Sequence, residues 1–294
     1  SDINPGDYYM YDRAKNSLAY LGSSRPWIDP KTMSPMKPFS FEARDGETIY
    51  GFLTVPVDSD GKDLPLILNP HGGPFGVQDV WRFNPETQFF ANQGYAVMQV
   101  NFRGSGGYGK RYERIGYKRW GLEMQDDLTD AVQWAVSEGV VDPDHVCIYG
   151  ASYGGYATMA GITLTPELYS CAVNYVGIWD LEMLYRQDGR WDSRLGRWFR
   201  DHVVDVEKDE AQIKKTSPRY HIDKIQAPLF IVHGRRDYNV RIEQAETLMD
   251  ALDEKGIPYE SLIKREEGHG FTLYENNVEL YTRMQAFFKE HLAK

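Results

Sequence analysis

The sequence predicts an α/β protein with a mostly parallel central sheet and helices on both faces. Two observations carry this. From residue 37 onward, short strand-like runs take turns with helix-like stretches, the alternation that builds a parallel sheet covered on both sides. The clearest helix, with apolar residues at Met124, Leu128, Ala131, Val132, Ala135 and Val136, buries one face at 3.6-residue spacing.

Residues 1–36 stand apart. DYYMYD and LAYLG flank the polar run RAKNS and read as a two-stranded hairpin. Pro26, Pro30, Pro35 and Pro38 then punctuate an extended linker. A lone hairpin is marginal in water, so it is expected to dock on the main domain or on one that is absent. Next, KPFSFEA and ETIYGFLTV alternate as strands around the turn RDGE, LPLILN is a short apolar strand, ETQFFANQG suits a helix and YAVMQVNF a strand. After the 124–136 helix come a strand at HVCIYG, a helix at YATMAGIT, and strands at CAVNYVG and LFIVHG. Ala245, Leu248, Met249 and Leu252 line a helix that Gly256 closes. YESLIKRE reads as a strand, and Val278, Tyr281, Met284, Phe288 and Leu292 are expected to face inward from a last helix. Residues 180–224 break the alternation. Rich in Trp, Arg and Tyr, with Trp191 and Trp198 among them, they are expected to form a helical insertion that walls a pocket.

With 294 residues the chain suits one large domain, or one domain plus an appendage. A net charge of −10 argues against a nucleic-acid-binding surface, which needs clustered Lys and Arg. No apolar run is long enough to predict a membrane span. The N-terminus SDINPG has neither a starting Met nor a charged-then-apolar signal, so a processed or excised chain is expected, and the compartment stays open between cytoplasm and periplasm or exterior. Cys147 and Cys171 sit in apolar runs and are expected as buried free thiols. There is no H-E-x-x-H and no Cys/His cluster, so neither a catalytic metal nor a cofactor is expected.

Gly150-Ala151-Ser152-Tyr153-Gly154 has the pattern G-x-S-x-G, which exposes a serine on a strained strand-to-helix turn. The strand before and the helix after it satisfy the context the motif requires, so an α/β-hydrolase fold with Ser152 as nucleophile is predicted. In that fold an acid and then a histidine follow the serine in the chain. His269, in the Gly-flanked loop EEGHGF, is the candidate base. His233 ends an apolar strand and suits a core histidine, and His291 lies near the end of the last helix. Asp237, just past LFIVHG, is the candidate acid that orients the imidazole. Glu266 and Glu267 are rivals expected to be solvated. The backbone N–H groups of Tyr153 and of Gly73, in Pro70-His71-Gly72-Gly73-Pro74, are the candidate oxyanion donors. Gly104, Gly106 and Gly109 match G-x-G-x-x-G with Asp126 further on, but no clean amphipathic helix follows, so nucleotide binding is not expected.

Taken together, SRPWIDP, HGGP, NFRGSGGYG, GASYGGYA, YVGIWDL, SPRYHIDKIQAPLFIVHGRRDYNV and EEGHGF resemble the prolyl oligopeptidase family, in particular its acylaminoacyl-peptidase and dipeptidyl-peptidase-like branch. The resemblance covers nearly the whole chain from about residue 24. It implies a serine peptidase acting on short peptides, with Ser152, Asp237 and His269 as triad and Ile178, Trp179 and Val240 beside the pocket for the residue before the scissile bond. Prolyl oligopeptidases proper carry Tyr at the position of His71, so strict proline specificity is not expected. The resemblance also implies a β-propeller N-terminal to the hydrolase domain. Residues 1–36 then look like a remnant of its last blade, and residues 37–294 like the catalytic domain. Without the propeller, an exposed apolar face around the pocket would favour a homo-oligomer. Two readings compete: a carboxylesterase on small acyl esters, which uses the same machinery, and a catalytically silent binding or assembly module.

Overall fold

A computed structural model describes residues 1–187 and 193–293. The hairpin forms as expected, with β1 (Asp7–Asp12) antiparallel to β2 (Ser17–Ser23). The chain then runs through β3 (Met36–Glu42), β4 (Thr48–Thr54), β5 (Leu64–Leu68), α1 (Pro85–Ala91), β6 (Ala96–Asn101), α2 (Lys110–Arg114) and α3 (Glu123–Ser137). There follow β7 (Val141–Ala151), α4 (Tyr153–Leu164), β8 (Cys171–Tyr175), α5 (Leu181–Arg186), α6 (Arg194–His202) and α7 (Glu210–Thr216). The last elements are β9 (Leu229–Gly234), α8 (Glu243–Lys255), β10 (Tyr259–Lys264) and α9 (Tyr274–His291). β3 to β10 form one eight-stranded sheet in the order β10-β9-β8-β7-β5-β6-β4-β3. It is parallel from β10 to β6, and β4 and β3 run antiparallel at one side.

Side chains alternate across the sheet, and the core divides accordingly. Leu66, Leu68, Ile148 and Ile231 face one way, against Leu128 and Val132 of α3, Ala157 and Ala160 of α4 and Leu248 of α8. Their neighbours Ile67, Cys147, Val173 and Val232 face the other way, against Phe90 of α1 and Leu280, Met284, Phe287 and Phe288 of α9. The predicted α3 stripe holds, with Met124, Leu128, Ala131, Val132 and Ala135 buried. Gly256 closes α8 at φ 66°, a left-handed position that favours glycine.

Three expectations need correction. Val278 is 47% exposed, because the buried stripe of α9 is set by Leu280, Met284 and Phe287. Cys147 and Cys171 are not free thiols: they are in-register neighbours on β7 and β8, with Cα atoms 4.6 Å apart, and are joined as a disulfide. Glu267 is buried, for reasons given below. The described residues of 180–224 hold α5, α6, α7 and a 3₁₀ segment Pro218–Lys224. Trp191 lies outside the described residues.

The base of residues 1–36 is pinned to the start of β3 and to α1. Asp2 accepts from the Met36 amide at 2.8 Å, and Gln88 donates to the Ser34 carbonyl at 2.7 Å. The hairpin itself is not covered: Tyr8, Tyr9, Met10, Tyr11, Leu18, Tyr20 and Leu21 are each 54–68% exposed.

Candidate active site

The site begins where β7 ends. Ser152 takes φ 60° and ψ −119°, a conformation non-glycine residues adopt only when their surroundings enforce it. The enforcement is steric. A Cβ on Gly150 would run into the Gly154 backbone, and a Cβ on Gly154 into the Pro70 carbonyl. The Ser152 amide donates to the Tyr175 carbonyl at 3.1 Å, tying the turn to β8. α4 starts at Tyr153 with no side-chain cap from Ser152, so its first N–H groups face the serine with no cap bond among the described residues.

The acid and the histidine come from two loops that are laced together. Arg235 N donates to the Lys264 carbonyl and Arg236 N to the Glu267 carbonyl, both at 2.8 Å. Asp237 is 4% exposed. Its Oδ1 accepts the amides of Asn239 and Val240 at 2.8 and 2.9 Å. Its Oδ2 lies 2.7 Å from His269 Nδ1, which therefore carries the proton and presents Nε2 outward. Buried His233 donates from Nε2 to the Val240 carbonyl at 2.9 Å, and burial pushes its imidazole down, which keeps it neutral beside Asp237.

Glu267 does not compete for His269. Its carboxylate accepts the Thr272 and Leu273 amides at 2.8 and 3.0 Å and Asn276 Nδ2 at 2.7 Å, and so caps the start of α9. Burial favours its neutral form, but these hydrogen bonds together outweigh burial and hold the carboxyl below its usual range. Tyr175 connects the two halves of the site, because its carbonyl takes the Ser152 amide and its hydroxyl takes the Phe271 amide, two residues past His269. Among the described residues, Asp237 and His269 are hydrogen-bonded, and no hydrogen bond joins Ser152 Oγ to His269. Such bonds often tighten only once substrate is bound.

The loop from Pro70 to Pro74 lies against the elbow. A Cβ on Gly72 would stand 3.3 Å from the Ala151 carbonyl and 3.5 Å from Ser152 Cβ. Gly73, Ser152, Tyr153, Ile178 and Val240 all line one cavity of about 150 Å³. Trp179 does not. Its indole Nε1 donates to Thr247 Oγ1 at 3.0 Å, which turns the ring onto α8. Tyr185 and Phe199, which lie in the insertion, also line the cavity, as does Trp120, outside the insertion, which sequence reasoning did not single out. Trp198, in the insertion, does line the cavity. None of the described lining residues is charged. Two further sequence motifs find a structural use: Asp180 of YVGIWDL caps α5 through the Glu182 and Met183 amides at 2.9 and 3.0 Å, and pairs with Arg219 of SPRYHID at 2.6 Å.

The sheet order and the serine elbow define an α/β-hydrolase fold. The sequence profile of the prolyl oligopeptidase family matches residues 81–294. The chain belongs to that family. It is 38% identical to dipeptidyl aminopeptidase BIII of Pseudoxanthomonas mexicana, over 97% of this chain and 42% of that protein. It is 32% identical to dipeptidyl peptidase family member 6 of Caenorhabditis elegans, over 99% of this chain and 43% of that protein. A puromycin-hydrolyzing peptidase of Mycobacterium tuberculosis superposes with a TM-score of 0.88 at 26% identity, over 98% of this chain and 44% of that one. An acylaminoacyl peptidase in complex with Z-Gly-Gly-Phe-chloromethyl ketone gives a TM-score of 0.84 at 26% identity, over 97% of this chain and 46% of that one. The chain thus spans less than half the length of these relatives.

Proposed function

We propose that this chain is the catalytic domain of a serine peptidase that cleaves short peptides through an acyl-enzyme. The observation that carries this is the 2.7 Å bond between Asp237 and His269 beside a strained serine elbow. A serine hydroxyl is a weak nucleophile until a base takes its proton. His269 Nε2 is that base, and Asp237 fixes the tautomer that leaves Nε2 free and stabilises the imidazolium that forms. Ser152 Oγ attacks the scissile carbonyl, and the N–H groups of Tyr153 and Gly73 receive the oxyanion. Collapse expels the amine, which takes its proton from His269. Water, deprotonated by His269, then releases the acyl group. The uncharged, aromatic cavity beside Ser152, bordered by Ile178 and Val240, suits an apolar side chain on the residue before the scissile bond. The names of the relatives and neighbours, dipeptidyl aminopeptidase and acylaminoacyl peptidase among them, support peptides as the substrate class.

Residues 1–36 are read as the edge of a further N-terminal domain, a β-propeller as in the family, and residues 37–294 as the catalytic domain. The uncovered Tyr and Leu side chains of the hairpin support this reading, as does the share of the relatives that the chain spans. A fluorophosphonate should label Ser152, and peptide anilides with an apolar residue at the cleaved bond should be hydrolysed. Labelling with turnover of p-nitrophenyl esters alone would replace the peptidase by an esterase, and a folded sample that takes no label would be a silent module.

A further inference from the structure

We propose that the groove between α1 and α9 binds a small primary alkylammonium ion, with Glu86 as its counter-charge and Phe89 and Tyr281 as aromatic walls. The groove lies on the face of the sheet away from α4, and the inference does not rest on the assignment of Ser152.

Side-chain spacing on two helices builds the groove. Glu86 and Phe89 stand about one turn apart on α1, and Tyr274, Val278, Tyr281 and Gln285 recur at three- to four-residue steps on α9. Both sets line one cavity of about 450 Å³, a volume within the range of small-molecule sites. Tyr274 and Val278, at its mouth, are 77% and 47% exposed. Gln285 donates to Gln93, which ties α9 to the residues following α1.

Glu86 is the one charged lining residue among those described. Its Oε1 accepts the hydroxyls of Tyr149 and Tyr281 at 2.7 and 2.8 Å. Both hydroxyls meet the same oxygen. Among the described residues Oε2 makes no hydrogen bond and no ion pair. Asn277, also on the wall, is engaged elsewhere, since its Nδ2 donates to the Phe271 and Leu273 carbonyls, both at 3.1 Å. The groove therefore offers one acceptor oxygen in an otherwise largely apolar setting.

That combination selects the ligand. A carboxylate beside apolar walls is costly without a positive partner, and its attraction to one is strengthened by the low local dielectric. Phe89 and Tyr281 have centroids 5.6 Å apart and planes 69° apart, and aromatic rings attract organic cations. A divalent metal would need about six or more oxygens, which one carboxylate does not supply. A quaternary ammonium has no N–H for Oε2, whereas a primary ammonium donates to it. An alkyl chain of a few carbons would then lie against Phe89 and Val278.

Proton linkage follows from the same setting. Burial pushes the Glu86 carboxyl up, against the pull of the Tyr149 and Tyr281 hydroxyls. Asp79 and Tyr175 in turn feel its charge, and none of these groups is basic. A cation binds the ionised carboxylate, so binding in the acid range releases a proton and strengthens as pH rises. The amine itself stays charged, because alkylamines titrate near lysine.

The test titrates n-butylammonium chloride into residues 1–294 and reads the Val278 methyl signals in ¹³C-labelled protein. A Kd on the order of 1 mM is expected at pH 7, weakening about threefold or more at pH 5. Glu86→Gln keeps an acceptor for both tyrosines and removes the charge; it should weaken binding at least roughly tenfold and leave fluorophosphonate labelling unchanged. n-Butanol, the neutral counterpart, should bind about tenfold more weakly, and Phe89→Leu should cost about threefold. Should Glu86→Gln fail to fold, the butanol comparison and the pH series carry the test. No Val278 shift at fifty times the expected Kd, equal affinity for butanol, equal affinity in Glu86→Gln, or binding that weakens as pH rises would each overturn the inference. Nα-acetyl-lysine methylamide presents the same group on a peptide unit. Its binding more than tenfold tighter than n-butylammonium would assign the groove to a lysine of a protein partner and overturn the small-ligand reading.

Discussion

At the scale of single residues, chemistry and burial make separate demands. Ser152→Ala should abolish labelling and leave at most ~10³–10⁴-fold acceleration over water from binding and the oxyanion donors. Asp237→Asn should lower kcat by about 10⁴, because an amide no longer enforces the Nδ1-protonated form of His269. A loss under tenfold in steady-state kinetics would remove Asp237 from the triad. Asp79 concerns stability instead. Its Oδ1 accepts from Gln99 at 2.7 Å, its Oδ2 is buried without a hydrogen-bond partner among the described residues, and burial pushes its carboxyl up to about 7. The folded state therefore holds this proton from the usual carboxyl range up to about pH 7, where the unfolded chain has lost it. Stability falls as pH rises through that window. Asp79→Asn should raise Tm relative to wild type above pH 7 and change it little at pH 4. An equal shift at both values would show that the carboxyl is ionised throughout.

At the scale of elements, the fold depends on a few buried polar connections. Asp127 of α3 is fully buried and holds Arg103 at the end of β6. Asp127→Ala leaves the buried guanidinium with Asp45 as its one remaining ion pair among the described residues and should cost about 3–5 kcal/mol in urea unfolding. α6 closes the cavity. Trp198 stands over it and packs edge-on against Phe75, with centroids 6.1 Å apart. Trp198→Ala should raise KM for peptides with a large apolar residue at the cleaved bond by about tenfold and leave kcat on p-nitrophenyl acetate unchanged.

At the scale of the whole molecule, the hairpin is the element the rest of the fold does not explain. In-register Tyr9–Tyr20 and Tyr11–Leu18 make one apolar face, Tyr8 and Met10 lie on the other, and Leu21 sits at the bulge between Tyr20 and Gly22. A ribbon with both faces in water buries too little apolar surface to be stable alone and readily associates. Residues 1–294 in isolation should therefore self-associate in light scattering. Tyr9→Lys combined with Leu18→Lys and Leu21→Lys should reduce association without changing fluorophosphonate labelling. An unchanged mass would show that the hairpin is not the contact.

The sequence by itself determined the α/β class, the strand and helix order, and the nucleophile, acid and histidine candidates. Apolar spacing and turn residues act locally, and G-x-S-x-G carries its own steric demand. It could not reach features set by which elements lie side by side. The Cys147–Cys171 pairing depends on the register of two parallel strands. Glu267 was read as solvated because its burial comes from the N-terminus of α9 folding over it. Trp179 was read as pocket because only α8 shows where its indole turns. Each of these belongs to tertiary structure for the same physical reason: hydrogen bonds and side-chain packing are decided by neighbours in space, and spacing along the chain does not encode them.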